Sequence, residues 1–256
     1  VILTVPSLLE KLSLPQIREQ TAFSGTKTNV SVSSNNLTLT NPSTNSSGTY
    51  IFNTLYDLGA VFSLKINSHI IATSANVSTL FDSILDVDAL TNFDGVAAEK
   101  TNAALFVRTT NDNPSGSPTY SSYNNFQSGT FRARAFDFKA ELETTDGNEN
   151  ISISELGVDA FMQTRTEQST TLISSGAGAK NVSFAAPFFT GTSAIGGSTS
   201  AYPPSIGITA QNMASGDFFE VTNITGTGFT VTFKNSSNNA VSRNFSYSAV
   251  GYGRGG

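Results

Sequence analysis

GTGFTVTFKNSSNNAVSRNFSYSAVGYGRGG, residues 226–256, decides the fold class of this chain. In its first half Phe229, Val231 and Phe233 alternate with Thr230 and Thr232. A period of two lays one face of a strand on a core and leaves the other to solvent. Asn235-Ser236-Ser237-Asn238-Asn239 comes next. Such residues accept left-handed backbone or hydrogen-bond their own main chain, so the chain reverses there. Val241, Phe245, Tyr247 and Ala249 form a second alternating run, ending on Gly251-Tyr252-Gly253. We read the stretch as a β-hairpin. It holds no Cys, His or carboxylate, so it is scaffold: its rings serve a core or a subunit seam, and recognition is left to loops elsewhere.

Working outward, the same pattern fills most of the chain. TYIFNTLYDLG (49–59), VFSLKINSHIIATS (61–74), AALFVRTT (103–110), FRARAFDFKAELET (131–144) and ISISELGVDAFM (151–162) alternate between turn signals. NVSFAAPFF (181–189), SIGITAQN (205–212) and DFFEVTNI (217–224) add further strands. Short strands without a helical period between them argue an all-β chain built as an antiparallel sandwich or jelly roll. TNVSVSSNNLTLT (28–40) reads as two short strands around a Ser-Asn turn. Pro6 and Pro15 cut the aliphatic opening VILTVPSLLEKLSLPQIRE, leaving room for at most a short helical turn in a connector from an upstream domain. Leu80–Gly95 interrupts the strands as a helical turn or long edge loop. Arg165–Gly178, polar and ending Gly-rich, is the expected inter-domain boundary. Three segments result: 1–47 as connector and short strands, 48–165 as a jelly-roll sandwich, and 166–256 as a smaller β-sandwich.

Composition narrows the function. Charged residues make up 13% of 256, against about 25% in an average soluble domain, so the surface presents hydroxyls and amides. With a net charge of −5 and 14 Lys and Arg, no basic stripe meets a nucleic-acid backbone. The chain has no Cys, hence no disulfide and no Cys-ligated zinc. No apolar run reaches the roughly 20 residues that span a bilayer as a helix.

Two loops are the binding candidates. Asn111–Gln127, NDNPSGSPTYSSYNNFQ, offers Tyr120, Tyr123, Asn124 and Phe126. Thr190–Ser205, TGTSAIGGSTSAYPPS, offers Tyr202 beside two prolines. Ring faces for the C–H side of a sugar, mixed with neutral polar groups for its hydroxyls, suit a saccharide. The competing reading has the rings cover a domain edge or trimer seam. Asp82, Asp86, Asp88 and Asp94 are metal candidates because a hard cation wants several oxygens from one segment, although their spacing does not fit an EF-hand. Glu141, Glu143, Asp146 and Glu149 supply carboxylates that a glycosidase would need, but two lie on one face of a strand and two in a turn, as in a hairpin decorated for solubility. His69 is the single histidine and reads as a strand residue with a satisfied ring nitrogen. Arg108, Arg132 and Arg134 read as braces for carboxylates or loops. No cofactor motif is present.

GFTVTFKNSSNNAVSRNFSYSAVGYGRG resembles the C-terminal module of siphophage central tail-tip, or host-specificity, proteins and of related phage tail fibres. IGITAQNMASGDFFEVTNITGTGF, SSGTYIFNTLYDLGAVFSLKI and NISISELGVDAFMQTRTE extend that likeness over residues 48–256. AALFVRTT, a polar loop and then FRARAFDFKAEL are similar to a galactose-binding, discoidin-like jelly roll, and the order of strands after residue 178 is similar to the H-type lectin sandwich. This chain has no Trp, and Tyr247 stands where many of those lectins carry one. The resemblance implies a non-enzymatic virion protein, assembled in the bacterial cytoplasm and joined to other tail proteins. It also implies a homotrimer whose loops meet a host-surface glycan or outer-membrane receptor. A virion polysaccharide depolymerase and a ligand-free structural collar are the alternatives.

Overall fold

The computed structural model describes residues 11–76 and 100–253. Its strands in chain order begin with β1 (Lys11–Ser13), β2 (Ile17–Arg18), β3 (Thr26–Thr28), β4 (Val30–Ser33), β5 (Asn36–Leu39) and β6 (Ser47–Ile51). Four long or edge strands follow, β7 (Tyr56–Asn76), β8 (Thr101–Thr110), β9 (Asn124–Asn125) and β10 (Ser128–Thr144), then β11 (Glu149–Gln168). The last third holds β12 (Ile173–Ser174), β13 (Lys180–Ser183), β14 (Ser205–Gln211), β15 (Phe218–Thr222), β16 (Gly228–Lys234) and β17 (Asn244–Tyr252). The described residues contain no helix, every pairing is antiparallel, and the all-β expectation holds.

The first sheet is organised by three long strands. β10 pairs with β8 along Ala135–Thr144 and with β7 along Ser128–Phe136. Because Ala135 and Phe136 take partners from both, β7 and β8 lie on opposite edges of β10. The second half of β7 then pairs with β11, whose own ladder also takes β5, β2 and β1. Asn29, at φ 56, turns the chain between β3, which pairs with β6, and β4, which pairs with β5. β5 reaches β11, so the sheet nearly closes on itself. Ser34 and Asn35 both have positive φ, giving β4–β5 the tight turn that a two-residue hairpin requires. Between the prolines the chain forms β1 instead of a helical turn, because Leu14 and Ile17 are drawn into the core beneath β11.

Alternation fills the interior of this sheet. Phe136, Phe138, Ala140 and Leu142 of β10 and Leu64 and Ile66 of β7 are buried, with Tyr50, Phe52 and Phe126. Phe138 contacts Phe52, Tyr56 and Phe126 at centroid distances of 5.7, 6.1 and 6.1 Å. Glu19 is buried too, and it accepts a hydrogen bond from the Tyr50 hydroxyl at 2.5 Å, while that hydroxyl accepts one from the Gly25 amide at 2.8 Å. Burial, before the neighbouring carboxylate, pushes the Tyr50 phenol well above its usual range.

The second core lies between two small sheets. β13, β16 and β15 form one. β17 forms the other with β14, β12 and the end of β11. The expected hairpin is therefore absent: β16 and β17 never pair. The turn at Asn235–Asn239 starts as a hairpin, with the Val241 amide donating to the Phe233 carbonyl. The chain then crosses to the opposite sheet, where Phe245 faces Phe233 at 5.6 Å and Tyr247 faces Phe229 at 5.4 Å. Two strands that both carry aromatics inward bury more by facing each other across a core than by lying side by side. The Tyr247 hydroxyl donates to Glu167 at 3.0 Å, and burial with that carboxylate pushes its pKa up to about 12.

Arg165–Gly178, read from composition as a boundary, begins as ordered strand. Thr164–Gln168 of β11 run past the ladder with β7 and pair with Tyr252–Ser248 of β17. The segment Phe189–Tyr202 folds back the other way, burying Phe189 and Ile195 in the first core. Gly253, at φ 86, allows the β17 end to pass Phe62, since a Cβ there would lie 2.8 Å from its ring. The two halves thus share a strand, and the later one sends Phe189 and Ile195 into the first core.

Candidate binding site

Arg108 on β8 lies directly across from Asp137 on β10, so the pair is set by register. Arg108 Nε and Nη2 both donate to Asp137 Oδ2 at 2.7 Å. The loop after β8 returns over them: the guanidinium sits 4.4 Å from the Tyr120 ring centre and 4.7 Å from that of Tyr123. The Tyr123 hydroxyl donates to the same Asp137 oxygen at 2.9 Å. Lys139 stands 4.6 Å from the Tyr123 ring and 4.9 Å from Phe106, and is ion-paired to Glu141. Burial, then the Asp137 charge, holds both phenols above their usual range. Tyr120 and Tyr123 therefore brace the loop, Tyr120 with a cation against its ring and Tyr123 with two.

Phe126 and Tyr202 pack on the first core. Phe126 is 7% exposed and packs edge-on against Phe131 at 5.8 Å. Tyr202 stacks on Phe189 at 6.2 Å and meets Tyr252 edge-on at 6.4 Å, at the join between the cores. Asn124 stays exposed on the short edge strand β9. Asp82, Asp86, Asp88 and Asp94 lie outside the described residues. Among the described residues no group of three or more His, Asp or Glu is placed to hold a metal ion. His69 Nε2 lies 2.6 Å from Glu155 across the β7–β11 ladder. Arg134 pairs with Asp57 at 3.0 Å, a brace like that of Arg108. Asp146 and the buried Glu149 converge on Lys100, at 2.7 and 3.4 Å.

Among the described residues, a cleft of about 180 Å³ is lined by β7, β8 and the segment Asn125–Gln127 that leads into β10. Of its lining, Leu105 and Phe126 are buried and Ile70, Ala103 and Ala104 half-buried, so we take these as its base, while Asn102, Asn125 and Gln127 are exposed and form its rim with Ser68. The rim is held from behind: the Gln127 carbonyl accepts from the Ser68 amide at 2.8 Å and from Ser68 Oγ at 3.0 Å, while the Phe126 amide donates to the Leu105 carbonyl at 3.0 Å. No lining residue is ionisable. The cleft can therefore offer amide and hydroxyl donors and acceptors over an apolar floor.

No family model, curated protein or solved structure matches this chain. The likeness to phage tail proteins rests on strings of sequence alone. Of the predicted loop Asn111–Gln127, only its last three residues reach the cleft. Ser68, Ile70 and Asn102–Leu105 join them through strand pairing, and no local motif marks those positions.

Proposed function

We propose that this chain is a binding module of a phage tail tip or tail fibre that engages neutral saccharide on the host cell surface. The observation that carries the reading is the uncharged cleft between β7 and β8. Its amide rim over an apolar floor matches a sugar ring, which has hydroxyls around its edge and C–H groups on its face. A cleft this small holds about one residue weakly, and several copies in a virion raise avidity without new contacts. The Ser-, Thr- and Asn-rich, weakly charged composition fits a surface that meets polysaccharide in the open. Location in the virion follows from the sequence likeness.

The test is retention on an array of neutral oligosaccharides. Asn102→Ala and Gln127→Ala each remove one rim amide and are expected to cut affinity about 5- to 10-fold, one hydrogen bond's worth. No retention of any saccharide by the intact protein would sink the reading and favour a structural collar. Reducing ends released from envelope polysaccharide would instead place the chain among depolymerases.

A further inference from the structure

The second core is left open along one side. Ile206, Ile208 and Ala210 lie opposite Ala249, Tyr247 and Phe245 in the β14–β17 ladder. Residues directly opposite share a face, so these three point into the sandwich with buried partners. All three nevertheless stay half-exposed. On the facing sheet Phe219 lies opposite Phe233 and Val221 opposite Val231, and Phe219 is still 39% exposed. Glu167 of β11 accepts from the Ala185 amide just past β13, and β16 faces β17. β15 therefore lies over β14, and their inward residues form one apolar seam.

β14 also has an unguarded edge. Among the described residues only β17 pairs with it. Natural edge strands are protected by charge, proline, a bulge or shortness. Ser205–Gln211, SIGITAQ, is seven residues in unbroken register, with no charge and no proline.

We infer that β14 pairs antiparallel with β14 of a second copy about a twofold axis through Ile208. The strand is self-complementary in that register. Ser205 meets Gln211 of the copy, Ile206 meets Ala210, Gly207 meets Thr209, and Ile208 meets Ile208. Inward residues meet inward residues, so the apolar seam runs on into the second sandwich and no like charges face each other. A twofold contact requires the same patch on both sides, which this strand provides. A threefold ring would have to join β14 to a different edge. The other edge strand on this side, β15, has five residues against seven and carries Glu220. The dimer stands independently of the saccharide reading and differs from the trimer that the lectin likeness implies.

Sedimentation of the full chain tests it. The expected mass at about 100 µM is twice that of the chain. Ser205→Lys combined with Gln211→Lys places lysine against lysine at both ends of the ladder and is expected to halve that mass. Ser205→Lys combined with Gln211→Glu places opposite charges there and restores it. Both positions are exposed and lie opposite the uncharged Val250 and Asn244 within the chain, so folding is spared. One or three chain masses for the unaltered protein, or a double-lysine variant that keeps the doubled mass, overturns the inference.

Discussion

The first core is wrapped by strands of 17 to 21 residues that bend around it, whereas the second sits between two small sheets and is open along β14 and β15. Both are rich in phenylalanine, so the difference is one of closure. Long strands that change partners along their length, as β7 passes from β10 to β11, close a sheet with the chain's own residues. Short strands cannot turn that corner, and their sandwich leans on a neighbour, through β11 on one side and, as inferred above, a second copy on the other.

The largest effect expected is from Phe138→Ala. Its ring touches three others in the first core, and truncation should cost about 3–5 kcal/mol. Because β11 belongs to both cores, hydrogen exchange should show protection falling across the whole chain. Phe233→Ala falls in the same class, but its deficit should stay in β13–β17 and leave the amides of β7 and β10 protected. Equal loss in both regions for both variants would break the contrast between a self-closed core and a dependent one.

Tyr50→Phe comes next. It leaves the Gly25 amide without its acceptor and Glu19 with only the Asn53 amide at 3.4 Å, for a loss of about 1–3 kcal/mol in denaturant unfolding.

Acid sharpens the comparison further. Asp217 accepts from the Ala214 amide at 2.7 Å and from Arg243 Nε at 2.6 Å, with its side chain 2% exposed, so it ties the β14–β15 crossover to the β16–β17 arch. The Ala214 amide, ahead of Arg243, holds its carboxyl below the usual range. Its contribution is present above the unfolded value of about 3.9 and is lost as pH falls through the folded one. Asp146, in the turn between β10 and β11, is shifted the same way, chiefly by Lys100. Asp217→Asn should therefore flatten the acid response of exchange in β14–β17 and leave that around Lys100 unchanged.

The smallest effect is at the join. Arg165 lies over Phe188 at 3.8 Å and donates to the Ala186 carbonyl, but its buried Nε has no partner. Glu167, 3.5 Å from Arg165 Nη2, keeps Tyr247 and the Ala185 amide as donors without it. Arg165→Met should lie within about 1 kcal/mol of the unaltered protein in thermal or urea unfolding.

Much of this was legible. Period-two runs located β7, β8, β10, β11, β16 and β17, since alternation reports which residues share a face. It does not report which strand lies alongside, so Phe229–Phe233 and Phe245–Ala249 read as hairpin partners while facing each other across a core. The length between them was the available signal, because hairpin loops usually run two to five residues and Asn235–Arg243 separates these strands. Tyr123 shows a different limit. An aromatic among amides reads the same whether its face is bare or covered, and the residues that cover it, Arg108 and Lys139, come from two separate strands. The cleft was least legible, because Ser68 and Asn102 are ordinary strand residues, and only the pairing of separate strands brings them to one cleft.

One consequence of the shared strand β11 is mechanical. Its backbone runs unbroken from Glu149, in the ladder with β7, to Gln168, in the ladder with β17. A pull along this strand loads those hydrogen bonds side by side, in shear, where they must fail together instead of unzipping one at a time. Tension between the two halves is thus carried by covalent chain and paired backbone, and a link of that kind stays stiff under drag.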